Sequence, residues 1–101
     1  MSPLFEIRYL ATAVRDLEDI FEYIARDSPG AAVSLLEKFD RTISKLSVHP
    51  ELGVVPKDDR LKRLGYRMLT IENYLVFYVV KVGAIQIRRI IHGARRYGFL
   101  V

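Results

Sequence analysis

The chain has 101 residues, of which 50% are hydrophobic and 28% are charged, with a formal net charge of +4 and no cysteine. This size and composition predict a single globular domain over residues 1–101 and argue against a disordered chain. Without cysteine the chain has no disulfide framework and no thiolate metal site, which argues against a structural zinc ion. We expect neither a metal nor a cofactor.

Positive charge is concentrated in the second half of the sequence. Residues 1–56 contain 6 Lys/Arg against 9 Asp/Glu, whereas residues 57–101 contain 10 against 3. An electropositive surface of this kind concentrates anionic partners. The candidates are a nucleic acid, a protein that works on nucleic acid, or an acidic protein that covers the surface.

The sequence shows no sign of membrane insertion or export. Its longest apolar run, residues 74–80, is too short to span a bilayer, and the N-terminus lacks the basic start and apolar stretch of a signal peptide. We therefore expect a cytoplasmic protein that does not associate with membranes.

The first half of the sequence predicts a strand followed by two helices. Alternation over residues 4–9 is typical of a strand with one buried face, and helical spacing predicts a helix over about 12–26 with Thr12 as its N-cap. Ser28 and Pro29 then form a second helix start, and the apolar stripe continues until His49 and Pro50. Two amphipathic helices joined by so short a turn are expected to pack as an antiparallel pair.

The second half predicts three strands after an irregular, charged connection over residues 51–62. The strands cover residues 64–71, 74–81 and 84–92, and the short turns between them fit hairpins. The middle strand is apolar at nearly every position, which favours an interior strand covered on both faces. The order β-α-α-β-β-β predicts an α+β fold, with a mainly antiparallel four-stranded sheet, a helical hairpin on one face, and the other face left for function.

Several short motifs occur in a specific order along the chain. They are Asp16-Leu17, Tyr23-Ile24-Ala25, Ser28-Pro29, His49-Pro50-Glu51-Leu52-Gly53, Gly65-Tyr66-Arg67, Tyr74-Leu75-Val76-Phe77-Tyr78 and Arg89-Ile90-Ile91-His92-Gly93-Ala94-Arg95. Together with the predicted elements, they resemble the RelE/ParE superfamily of toxins from bacterial and archaeal type II toxin-antitoxin modules. The resemblance covers nearly the whole chain.

The resemblance implies one of two activities. RelE-like members are ribosome-dependent endonucleases that cut mRNA, whereas ParE-like members poison DNA gyrase without established hydrolytic chemistry. Metal-free RNA cleavage needs a base, an acid and cations beside the phosphate. By similarity to RelE, Arg67 and Arg95 occupy two of the basic positions, but Leu69 and Leu75 replace two others. His92 and Tyr97 match a pair that other nucleases of the superfamily use, which makes a nuclease with Arg67, His92, Arg95 and Tyr97 the alternative.

The C-terminal sequence from His92 to Tyr97 is more similar to the ParE branch, so no catalytic residue is expected. The residues expected to bind a target or an antitoxin are Arg67, Arg88, Arg89, His92, Arg95, Arg96 and Tyr97. The period of two places Arg88 and Arg89 on opposite faces of the sheet, so at most one shares a surface with Arg67. Structural roles also fit: Arg67 bridging to a carboxylate, His92 as a strand cap, and Arg95 and Arg96 as solvated charge.

The resemblance also implies the partners. A cognate antitoxin with an acidic, flexible C-terminal segment is expected to wrap over the sheet and the basic C-terminal region, and its N-terminal half to bind operator DNA, so that this chain meets DNA indirectly. The expected target is DNA gyrase, or the ribosome and mRNA in the nuclease alternative. A third alternative is a non-toxic module that acts as a corepressor with its antitoxin.

Overall fold

The computed structural model describes residues 4–93, which form four strands, three α-helices and a 3₁₀ turn. In chain order these are β1 (Glu6–Tyr9), α1 (Ala11–Ala25), α2 (Pro29–Ser44), the 3₁₀ turn (Lys45–Ser47), α3 (Asp59–Arg63), β2 (Tyr66–Ile71), β3 (Tyr74–Lys81) and β4 (Ala84–His92). The predicted order of strands and long helices is confirmed. The predicted irregular connection over residues 51–62 is wrong in part, because α3 begins within it.

The sheet is mixed, with the strand order β1-β4-β3-β2. The pairs β2–β3 and β3–β4 are antiparallel, whereas β1 runs parallel to β4. Both predicted hairpin turns contain a residue in the left-handed region, Glu72 with φ 54° and Gly83 with φ 71°. The prediction of a mainly antiparallel four-stranded sheet is therefore confirmed.

The two long helices differ in how they begin. Ser28 caps α2, since its hydroxyl accepts a hydrogen bond of 3.2 Å from the Ala31 N–H, and Pro29 is the first helical residue. This start was predicted. The prediction that Thr12 caps α1 is wrong: the helix begins at Ala11 without a side-chain cap, and the Thr12 hydroxyl instead donates to the carbonyl of Arg88 at 2.8 Å.

The strand β3 separates two apolar clusters. Val76 and Tyr78 belong to the cluster between the sheet and the helical hairpin, and Phe77 and Val79 belong to a second cluster on the opposite face. All four are buried, as predicted for an interior strand. The second face is not left open, however, because the fully buried Leu61 of α3 packs into that cluster.

Burial of Tyr9 is expected to make the folded chain less stable at alkaline pH. Desolvation, with a smaller effect from the charge of Asp40, raises the pKa of Tyr9 from 10.0 to about 12. Because the folded chain holds this proton more tightly than the unfolded chain, its contribution is complete below about pH 10 and is lost as pH rises to about 12. We expect the free energy of unfolding in urea to fall more steeply across this range in the wild type than in Tyr9→Phe. Parallel curves for the two proteins would contradict this prediction.

Candidate functional site

A β-bulge interrupts β4 in the region that the sequence marks as basic. Phe77 pairs with Arg89 and Tyr78 pairs with Ile87, which leaves Arg88 as an extra residue in β4. The start of α1 holds this bulge: the Leu10 N–H donates to the Ile87 carbonyl at 2.9 Å, and the Thr12 hydroxyl donates to the Arg88 carbonyl. Bulges redirect the side chains of a strand. Contacts from the start of α1 therefore hold the main chain of the bulge.

Asp16 of α1 binds the next two residues of β4. Its carboxylate accepts hydrogen bonds from Arg89 Nε at 2.8 Å, from Arg89 Nη2 at 3.2 Å and from the Ile90 N–H at 2.9 Å. The Asp16 side chain is only 14% exposed and that of Arg89 27%. The hydrogen bond with Asp16 raises the pKa of Arg89. The charge of Arg89, predicted to face a partner, is thus balanced within the chain.

Arg88 has a different environment. Its guanidinium lies over the ring of Tyr66, 5.5 Å from the ring centroid, and its Nη2 donates to the side-chain oxygen of Gln86 at 3.0 Å. Both partners are neutral. Its Nε is buried and has no hydrogen-bond partner among the described residues. Since Tyr66 belongs to the second cluster, Arg88 lies on the face of the sheet opposite the helical hairpin.

Arg67 stabilises the loop before α3. Its Nη1 donates to the carbonyl of Gly53 at 2.6 Å and makes a longer contact of 3.4 Å with the carbonyl of Glu51. The hydroxyl of Tyr78, opposite Arg67 in the sheet, donates to the Pro50 carbonyl at 2.7 Å and accepts from the Gly53 N–H at 2.9 Å. Burial raises the pKa of Tyr78. The structural alternative for Arg67 predicted a carboxylate partner, but the observed acceptors are main-chain carbonyls.

His92 lies at the end of β4, far from Arg67. It pairs with Tyr74, and the two rings meet edge to face with centroids 5.5 Å apart. The imidazole lines a cleft of about 410 Å³ whose other lining residues are Asp19, Ile20, Tyr23 and Tyr74. Arg67 pairs with Tyr78, four residues along β3 from Tyr74, which corresponds to about 13 Å.

Arg67, Arg88 and His92 therefore do not converge on one site. Arg67 and His92 belong to the face that carries the helical hairpin, at different ends of the strands, and Arg88 belongs to the other face. The roles of these three residues in binding a target or an antitoxin stay predictions. The other predicted site residues, Arg95, Arg96 and Tyr97, lie outside the described residues.

Sequence reasoning missed the residues that organise this region. The basic residues of β4 are contacted by Asp16, Thr12, Tyr66 and Gln86. Of these four residues, only Asp16 and Tyr66 belonged to a motif that was recognised in the sequence.

Within residues 4–93, no set of three or more histidine or acidic side chains is placed to hold a metal ion. Over the same range, no helix is both long enough and apolar enough to cross a bilayer.

Comparison with known proteins decides the family. The sequence model described as "ParE toxin of type II toxin-antitoxin system, parDE" matches residues 7–97. The chain belongs to the ParE toxin family. This membership confirms the predicted resemblance and its preference for the ParE branch. No curated protein matches the sequence of this ParE-family chain.

Solved structures share the fold of this ParE-family toxin. A chromosomal ParDE toxin-antitoxin system from P. aeruginosa has a chain that is 23% identical, with a TM-score of 0.73 over 90% of this chain and 98% of that one. The toxin-antitoxin complex RelBE2 from Mycobacterium tuberculosis has a chain that is 22% identical, with a TM-score of 0.62 over 90% and 99%. At these identities the likeness establishes the fold.

Proposed function

We propose that this ParE-family toxin arrests growth by binding DNA gyrase and that a cognate antitoxin neutralises it. The observation that carries the proposal is the match of residues 7–97 to the ParE family. A scaffold alone does not define a target, because one fold hosts unrelated functions. The geometry of the basic residues supplies the second argument.

That geometry favours binding over RNA cleavage. Cleavage through the 2′-hydroxyl requires a base, an acid and cations within hydrogen-bond reach of one phosphate. Arg67 is held by the carbonyls of the loop, and His92 lies about 13 Å further along the sheet. This separation and the carbonyl contacts of Arg67 argue against joint action of these two residues on one scissile phosphate.

An antitoxin partner is supported by two observations. Both structural neighbours are toxin-antitoxin assemblies. Residues 57–101 also carry 10 basic residues against 3 acidic ones, which would attract an acidic segment rapidly. In this proposal the antitoxin also carries the DNA-binding function, so that operator DNA is contacted indirectly.

Expression without the antitoxin tests the target. We expect filamentous cells with an induced DNA-damage response, and purified toxin should trap gyrase in complexes with cleaved DNA. The variant His92→Ala helps to separate the alternatives, because only the nuclease alternative requires a catalytic imidazole. Unaffected supercoiling at saturating toxin would contradict the proposal. Cleavage of mRNA that His92→Ala abolishes would support the nuclease alternative instead, and normal growth would support the corepressor alternative.

A further inference from the structure

We propose that Arg88 is an anchor that receives a carboxylate side chain from the acidic segment of the antitoxin. The inference rests on the proposed function in one respect, namely that such an antitoxin exists. It adds the residue, the face of the sheet and the chemical group that the antitoxin must supply.

Among the described residues, Arg88 differs from Arg89 and Arg67 in the partners of its guanidinium. Asp16 neutralises Arg89, and the carbonyls of Gly53 and Glu51 hold Arg67. Among the described residues, the guanidinium of Arg88 contacts the neutral side chains of Gln86 and Tyr66, and no carboxylate lies within ion-pair distance of it.

The hydrogen bonds of Arg88 are also incomplete. A guanidinium has five N–H donors in a planar fork that matches a carboxylate. Within residues 4–93 its buried Nε finds no acceptor, which native structures seldom tolerate without a reason. A carboxylate placed along the Nε edge would supply both the missing acceptor and the missing charge. Because the bond to Gln86 is to a neutral amide, little is lost when the side chain turns to meet that carboxylate.

The position of Arg88 is organised before any partner arrives. The bulge places Arg88 outside the regular pairing, Thr12 holds its carbonyl, and Asp16 holds the backbone N–H of Ile90 just beyond it. The ring of Tyr66 lies beneath the guanidinium. Because such contacts fix its main chain, the residue loses little main-chain freedom on binding, which favours affinity.

The surroundings fit an acidic peptide better than a nucleic acid. Affinity for a nucleic acid comes mainly from several cations that neutralise successive phosphates. On this face the described strands offer Arg88, whereas Asp16 matches the charge of Arg89, and the three basic residues of α3 follow the acidic pair Asp58 and Asp59. Partly buried apolar side chains, Met68 and Leu75, belong to the same face. A segment that combines one carboxylate with apolar side chains would complement this surface.

Calorimetric titration of the full-length toxin with the full-length antitoxin from the neighbouring reading frame tests the anchor. We expect Arg88→Gln to weaken binding by about 100-fold, because it removes one partner of a hydrogen-bonded charge pair. Arg88→Lys keeps the charge but not the planar fork, and should weaken binding by about 10-fold. The control is Arg63→Gln, which removes an exposed charge at the end of α3 and should change affinity less than about 3-fold. Thermal melting of each free variant establishes that it is folded.

The outcomes separate this inference from the proposed function. If the wild type binds the antitoxin and Arg88→Gln binds no worse than Arg63→Gln, the anchor is overturned while the toxin assignment stands. If the wild type does not bind the antitoxin, the antitoxin part of the proposed function fails and the anchor fails with it. If Arg88→Gln keeps antitoxin affinity but loses retention of a single-stranded RNA oligonucleotide, the ligand is a phosphate and the carboxylate proposal is wrong.

Discussion

Asp16→Ala is expected to lower the free energy of unfolding by about 3 kcal/mol, because it breaks a largely buried ion pair. The substitution removes the acceptor of both Arg89 donors and of the Ile90 N–H. The side chains of Asp16 and Arg89 are only partly exposed, so water replaces the lost hydrogen bonds poorly. Urea denaturation followed by circular dichroism measures the change. For a domain of this size, about 3 kcal/mol is a large part of the total stability.

Two further variants define the origin of this effect. Asp19→Ala removes an exposed carboxylate from the same helix and should change stability by less than about 0.5 kcal/mol. Asp16→Asn keeps an acceptor without the charge and should fall between the wild type and Asp16→Ala. Equal stability of Asp16→Ala and Asp19→Ala would mean that the contacts of Asp16 with β4 contribute nothing.

Gly53→Ala is expected to destabilise the chain by about 2–3 kcal/mol, as overpacking of a filled site does. A Cβ atom at Gly53 would lie 2.8 Å from Cε1 and Oη of Tyr78 and 2.9 Å from the carbonyl oxygen of Met68. The carbonyl belongs to the sheet and cannot yield without disturbing the bridge between Val54 and Met68. The same denaturation measurement applies.

Gly30→Ala is the matched control for this substitution. Gly30 lies in the first turn of α2, with open space where the alanine methyl group would lie, so alanine should stabilise the chain by about 0.5–1 kcal/mol.

Tyr78→Phe tests the hydrogen bonds of the loop that contains Gly53. It should lower the free energy of unfolding by about 1–3 kcal/mol, because the Gly53 N–H and the Pro50 carbonyl lose their partner. A neutral Gly53→Ala would show that the loop moves freely away from the sheet.

Local signals predicted much of the fold. The start of α2 followed from Ser28 and Pro29, because a capping hydroxyl and a proline act within one turn of the helix. The interior position of β3 followed from its continuous apolar run. The short helix α3 was missed because its cap, Asp58, precedes a stretch too short and too charged to show helical periodicity.

Contacts between residues distant in sequence were not predictable. Thr12 has the side chain of an N-cap, but its hydroxyl bonds a carbonyl 76 residues away. The bulge at Arg88 contains neither glycine nor proline, so the period of two was applied through a point where the strand register shifts. The charge of Arg67 suggested an anionic partner. Its observed acceptors are main-chain carbonyls, which lie near Arg67 because of the fold of the 50–53 loop.

The parallel pairing of β1 with β4 determines when the toxin becomes complete. Glu6 pairs with Ala84 and Tyr9 with Ile87, so the earliest strand has its neighbour in the latest one described. Ile87 and Ile90 of β4 also contribute to the cluster beneath the helical hairpin. A nascent chain therefore leaves the ribosome with that hairpin unsupported until β4 has been synthesised, and closure then depends on a contact between distant parts of the sequence. A partner that binds the finished sheet meets its binding surface only after translation has passed β4. A partner that binds the helices meets its surface earlier.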